Sequence, residues 1–256
     1  KRQTITGENF GTDPSDISVS FNGTPAEFEL VDESTIVATT PADYQTGSVT
    51  VTIHGYTMTG GAMFNPNSKG DVTVLYLQNY KQPFAKANDE SWKNGEWWTP
   101  AVWNQNAASF NAKGNTTVSG MQYKSEEGLT LAFQNGWDKE AYTNGKMWQV
   151  ATLRPGKYRL EVTYAYTLVV TDAGNFISVL IAKGDSESDI PNVADLEQLN
   201  GVYVAYDKMG TANDSGTLVT PSFEVTETTD VVIGFLTSLA KGNSYFKVTE
   251  LKLILE

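Results

Sequence analysis

The stretch Thr143-Asn144-Gly145-Lys146-Met147-Trp148-Gln149-Val150-Ala151-Thr152-Leu153-Arg154-Pro155-Gly156-Lys157-Tyr158-Arg159-Leu160-Glu161-Val162 reads as two strands around a tight turn. β-Branched and aromatic residues alternate with polar ones on both sides, and Pro155-Gly156 supplies the preset φ and the unhindered glycine that a turn needs. The same reading extends outward: strands are expected at 17–21, 27–30, 35–39, 48–53, 72–77, 129–133, 158–166, 176–181, 231–235 and 245–255. Asn22-Gly23, Thr46-Gly47, Asn94-Gly95, Asn135-Gly136 and Asn144-Gly145 mark turns between them. Helix is scarce; the best candidate is a short loop helix at 193–199, with Asn192 as its cap.

Composition narrows the chemistry. The chain has 256 residues, enough for one or two domains, with 18 Lys+Arg against 30 Asp+Glu and a net charge of −12. Surplus carboxylate disfavours nucleic acid and anionic lipid surfaces, which reward clustered Lys and Arg. Without cysteine there are no disulfides or thiolate metal sites, and with His54 as the single histidine a Ser-His-Asp triad could rest only there. His54 follows the alternating strand 49–53 on its polar side and reads as a surface residue. No run of 18 apolar residues predicts a transmembrane segment, and residues 1–12 lack a signal-peptide pattern. Lys1 opens in the middle of an expected strand, which leaves room for a leader and a lipid-bearing cysteine upstream.

Two blocks differ in aromatic content. Residues 1–66 contain no tryptophan, whereas residues 67–256 hold all six, within 57 positions. Gly, Asn, Pro and Ser cluster from Gly60 to Gly70, placing the expected join near Pro66.

In the first block Thr4-Ile5-Thr6-Gly7-Glu8-Asn9-Phe10-Gly11 precedes Ile17-Ser18-Val19-Ser20-Phe21-Asn22-Gly23, and Gly47-Ser48-Val49-Thr50-Val51 follows. This order resembles the IPT/TIG family of immunoglobulin-like domains, although the family's opening strand, which should precede Thr4, is nearly absent. Gly7 and Gly11 suit a sharp turn, with Phe10 plugging the end of a sandwich core. The resemblance implies a spacer or protein-contact module.

In the second block Trp92-Lys93-Asn94-Gly95-Glu96-Trp97-Trp98-Thr99-Pro100-Ala101-Val102-Trp103-Asn104 is rich in turn formers. Aromatic faces cover the C–H face of a pyranose while Asn and Asp take its hydroxyls; the alternative is that these rings pack the sandwich. Further on, Gln149, Leu153, Gly156 and Tyr158, then Ile233-Gly234-Phe235 and the alternating strand from Tyr245, resemble the galactose-binding-like jelly rolls of carbohydrate-binding modules. More narrowly, the Trp-rich opening and the Asn144-Gly145-Lys146 run resemble an uncharacterised C-terminal domain of Bacteroidota surface lipoproteins, often found behind an immunoglobulin-like domain.

The expected architecture is therefore all-β: an immunoglobulin-like IPT/TIG sandwich over 1–66 and a larger jelly roll over 67–256. The resemblance implies a non-catalytic carbohydrate-binding protein at the cell surface, either an outer-membrane-anchored lipoprotein or secreted. A polysaccharide or oligosaccharide would be its ligand, and other glycan-uptake proteins its neighbours. Trp97, Trp98, Trp103 and Trp137 are the candidate ligand-binding rings, with Asn104 and Asp138 as hydrogen-bonding neighbours. Structural calcium is conceivable at Asn88-Asp89-Glu90 or Asp185-Ser186-Glu187-Ser188-Asp189, although neither has EF-hand spacing and a solvated acidic loop is the simpler reading. Carboxylate pairs such as Glu126 and Asp138 could in principle hydrolyse a glycoside. The Gly-x-Ser-x-Gly, phosphate-loop and His-Glu-x-x-His patterns are all absent, so an enzyme is not expected. The competing reading is a structural or adhesive subunit of a surface assembly, and the exposure of Trp97, Trp98 and Trp103 discriminates between the two.

Overall fold

A computed structural model describes residues 1–65, 69–87, 97–110, 112–113, 116–117, 119–137 and 140–256. The expected join at Pro66, the Asn94-Gly95 turn, Trp92, Asp138 and the Asn88-Asp89-Glu90 loop lie outside the described residues. The chain separates into two compact units, Lys1–Leu75 with Leu255–Glu256, and Tyr76–Ile254.

The first unit is a small immunoglobulin-like sandwich. One sheet has the order β1 (Arg2–Thr6), β5 (Thr35–Thr39), β4 (Phe28–Asp32). The other runs β3 (Thr24–Ala26), β2 (Ile17–Phe21), β6 (Gly47–Ile53), β7 (Tyr56–Met63). Strand alternation sends Ile17, Val19, Phe21, Ile36, Ala38 and Val51 into a shared core. Phe10 is buried with them. Its ring lies where a Cβ on Gly7 would be, 2.5 Å from the ring tip, so the plug read from sequence needs glycine there. His54 sits in the β6–β7 turn with its Nδ1 3.4 Å from the Asp16 carboxylate, largely exposed. Gly60-Gly61, read as the start of the join, instead belong to β7, which pairs with β6 as far as Met63.

After β8 (Gly70–Asp71) the strand expected at 72–77 is a helical turn, α1 (Thr73–Tyr76). The Asp71 carboxylate accepts the Thr73 N–H at 2.9 Å and the Thr73 hydroxyl at 2.5 Å, capping a turn that overrides local β propensity.

The larger unit contains β9 (Trp97–Trp98), β10 (Asn104–Gln105), α2 (Ala107–Phe110), β11 (Ala112–Lys113), β12 (Thr116–Thr117), β13 (Ser119–Lys124), β14 (Gly128–Asn135), β15 (Tyr142–Leu153), β16 (Gly156–Thr167), β17 (Asn175–Lys183), β18 (Gly201–Ala205), β19 (Asp214–Val219), β20 (Phe223–Val225), β21 (Thr229–Leu239) and β22 (Ser244–Leu255). One sheet is ordered β10-β15-β21-β17-β18; the other is ordered β19-β16-β22-β14-β13-β9, with β20 on β16. The decisive hairpin is β15–β16, as its sequence indicates. The resembled positions are scaffold: Gln149 exchanges hydrogen bonds with the Gln78 backbone (3.1 and 2.7 Å), and the Tyr158 hydroxyl donates to the Arg154 carbonyl at 2.9 Å.

Strand β21 is buried on both faces, so its sequence is a continuous apolar run rather than an alternating one. Its outward residues Val232 and Leu236 join Trp148, Leu180, Ile190 and Leu196 in a second core beneath the 184–200 segment. The helix expected there is a kinked 3-10 segment, Val193–Gln198. Asn192 makes no side-chain cap; the Val193 N–H donates instead to Asn144 Oδ1 at 2.9 Å. Asp189 accepts the Asp185 and Ser186 N–H groups and the Ser186 hydroxyl, which hold its carboxyl below the usual aspartate range. Asp189 Oδ2 therefore serves the loop itself, and among the described residues no group of three acidic or histidine side chains is placed to hold a metal.

Candidate functional site

The tryptophans divide sharply. Trp97, Trp98 and Trp103 expose 1%, 6% and 5% of their surface, whereas Trp137 exposes 61%. Trp97 and Trp98 form β9, paired with Gln122 and Met121 of β13. Trp103 donates its indole N–H to the Asn79 carbonyl at 3.0 Å and packs against Phe235, with ring centroids 5.8 Å apart. These three rings are packing elements and form no open platform. Asn104 is exposed at the start of β10, opposite Trp148.

Trp137 is held exposed by a tightly tied turn. At the end of β14 the Asn135 side chain donates to the Leu239 carbonyl and accepts the Ser244 N–H, both at 2.9 Å, tying β14 to β21 and β22. Gly136 and Trp137 both take positive φ, 78° and 53°. The Trp137 N–H donates to Asn243 Oδ1 at 3.1 Å. A Cβ on Gly136 would lie 2.0 Å from that Asn243 oxygen and 2.7 Å from its Cα, so only glycine allows this approach. A bulky residue at positive φ stores about 1–2 kcal/mol of strain, which the surrounding hydrogen bonds hold in place.

The indole meets a second ring that aromatic density does not single out. Tyr245 follows Ser244 at the start of β22 and alternates with Phe246, which enters the core; Tyr245 therefore points outward. The Trp137 and Tyr245 ring centroids are 5.9 Å apart at an interplanar angle of 37°. Two residues further along the same face, Lys247 places Nζ 5.1 Å from the Tyr245 ring centroid and forms an ion pair with Glu127. The neighbouring Tyr166 is exposed and donates to the Glu126 carbonyl at 3.4 Å. At the same end Lys241 lies 3.8 Å from Asp172, and the Asn175 side chain clamps the Val170 and Lys241 carbonyls at 3.0 Å each. The result is an exposed indole backed by a phenol, with the exposed Asn243 side chain beside it; the Lys247 ammonium and the Asn175 amide are buried and already committed to Glu127 and to backbone groups. Such a pair of rings can cover an apolar ring face.

The fold defines an all-β protein with an immunoglobulin-like sandwich followed by a larger β-sandwich. Residues 78–234 match the family described as Domain of unknown function (DUF5013), and the chain belongs to that family. Residues 2–68 match the IPT/TIG domain. No curated protein matches the chain. Among solved structures, TmCBM61 in complex with beta-1,4-galactotriose is similar over 63% of this chain and 92% of its own, at 12% identity and a TM-score of 0.40. SGBP-B from a complex xyloglucan utilization locus in Bacteroides uniformis aligns over 100% of this chain and 69% of its own, at 12% identity and a TM-score of 0.30. An apo form cyclase from Fischerella sp. aligns over 70% and 94%, at 13% identity and a TM-score of 0.46.

Proposed function

We propose that the larger unit is a non-catalytic carbohydrate-binding module of a cell-surface protein, with the Trp137–Tyr245 pair as its sugar-stacking surface. The observation that carries the reading is the exposed indole locked by Gly136 and Asn243 at an unfavourable backbone angle. Strain retained at a solvent-facing aromatic is hard to account for by packing alone. In the smaller unit, the immunoglobulin-like fold suits a spacer.

Affinity electrophoresis against a panel of neutral polysaccharides tests the reading. The wild type is retarded by at least one of them, and Trp137→Ala, still folded by circular dichroism, loses about 2 kcal/mol or more of binding, some thirtyfold. Tyr245→Ala weakens binding less, because it removes the support and leaves the indole. No retardation across the panel, or undiminished retardation of Trp137→Ala, would overturn the proposal. The burial of Trp97, Trp98 and Trp103 supports a structural role for that segment, so Trp103→Ala lowers stability rather than selectively removing binding.

A further inference from the structure

Strand β16 buries every second side chain, Tyr158, Leu160, Val162 and Tyr164, and strict alternation would bury Tyr166 next. Instead Tyr166 is 41% exposed and the following Thr167 is buried. The switch falls where β16 slips its register against β19, between Tyr164 and Thr167, and there Tyr166 takes a φ of 52°. An irregularity of this kind re-aims one side chain, and for a bulky residue the left-handed backbone is strained. Among the described residues, Trp137 and Tyr166 are the tryptophan, tyrosine or phenylalanine residues held at positive φ, and both are exposed.

Strand β22 relates the two rings. Asn243, just before it, accepts the Trp137 backbone N–H, and Tyr245 meets the indole. Leu168, two residues beyond Tyr166, exchanges backbone hydrogen bonds with Tyr245 at 2.9 and 2.7 Å. The Lys247 backbone N–H donates to the Thr167 hydroxyl at 3.2 Å. Its ammonium pairs with Glu127, next to the Glu126 carbonyl that accepts the Tyr166 hydroxyl. Trp137 therefore stands level with Asn243 and Tyr245, and Tyr166 level with Lys247, roughly 7 Å further on at two residues of strand rise. Lys247 and Glu127 cancel each other's charge between the rings. The surface is thus longer than one sugar ring and favours an uncharged ligand, with an exposed aromatic at each end on which an apolar pyranose face can lie.

We infer that Tyr166 is a second stacking residue, and that the ligand is an extended neutral carbohydrate chain lying along β22, bound through successive units rather than through one sugar. This rests on the reading of Trp137 and Tyr245 as a sugar surface. The test is calorimetric titration of the 256-residue protein with disaccharides and hexasaccharides prepared from laminarin, xylan, galactan and glucomannan. The wild type is expected to bind the hexasaccharide of at least one series about tenfold or more tightly than its disaccharide. Tyr166→Gly supplies the residue that adopts the left-handed angle freely, so it keeps the wild-type circular dichroism spectrum, and it weakens hexasaccharide binding about tenfold while leaving the disaccharide unchanged. Tyr166→Asn, which also tolerates that angle, gives the same loss, and Tyr166→Phe keeps the wild-type affinity. Hexasaccharide binding by Tyr166→Gly and Tyr166→Asn equal to wild type, with Trp137→Ala still defective, would overturn this inference and leave the sugar surface standing. So would a wild-type affinity that does not rise with chain length. Failure of every series to bind the wild type, or undiminished binding by Trp137→Ala, would overturn the underlying reading and this inference with it.

Discussion

At Trp137 a single backbone choice sets what the side chain can do. Gly136 and Trp137 both adopt positive φ, and the Asn243 side chain fits against them only because Gly136 has no Cβ. Gly136→Ala is therefore expected to force the turn open and cost about 1–3 kcal/mol, read as a lower thermal midpoint together with altered indole emission. The Asn135-Gly136 turn was legible in the sequence, and Trp137 was among the candidate rings. Missing was the sorting of tryptophans by exposure. Trp97 and Trp98 are adjacent in a strand, so they cannot share one face, yet both are buried. Clustering along the chain states how many indoles a segment carries and nothing about what covers them. Tyr245 carried a usable signal, its position out of phase with core Phe246.

Among the elements, period-two alternation exposed the hairpins and the long strands, because half-buried strands must alternate. It failed where another interaction dominates. Apolar residues 72–77 became a helical turn under the Asp71 cap, and β7 was hidden by two glycines that read as a join. Strand β21 shows why a glycine can be legible without its reason: Gly234 opposes Trp148 on one neighbour and Leu180 on the other. A Cβ there would lie 2.1 Å from the Met147 carbonyl oxygen and 2.7 Å from the Trp148 Cα. Both are backbone atoms in the middle of a sheet, so Gly234→Ala should cost about 3 kcal/mol, occasionally more. Denaturant unfolding measures it; an unchanged midpoint would show that the sheet yields easily.

Across the whole molecule, acid stability has an identifiable contributor. Burial raises the Asp214 carboxyl, but donated hydrogen bonds from Tyr206 (2.9 Å) and Tyr164 (3.0 Å), with the Lys208 charge, outweigh it and leave the group below the usual aspartate value of 3.8. A depressed folded-state pKa stabilises the protein above the unfolded value and loses that contribution as pH falls through the folded one. The thermal midpoint should therefore fall below pH 3.8, and Asp214→Asn should flatten part of that fall while lowering the midpoint near neutrality. A pH profile identical to the wild type would show that Asp214 does not contribute. At this scale the all-β, two-sandwich architecture was readable because turns and alternation recur along most of the chain. The proposed ligand surface was readable only in part, since it unites residues 108 positions apart, Trp137 and Tyr245.

The most direct test of the central claim is the indole N–H region of a proton–nitrogen NMR spectrum, with the tryptophans assigned by substitution, recorded as a binding polysaccharide is added. The account predicts that the Trp137 signal shifts saturably while those of Trp97, Trp98 and Trp103 stay in place. Movement of the buried indoles with a stationary Trp137 would contradict it.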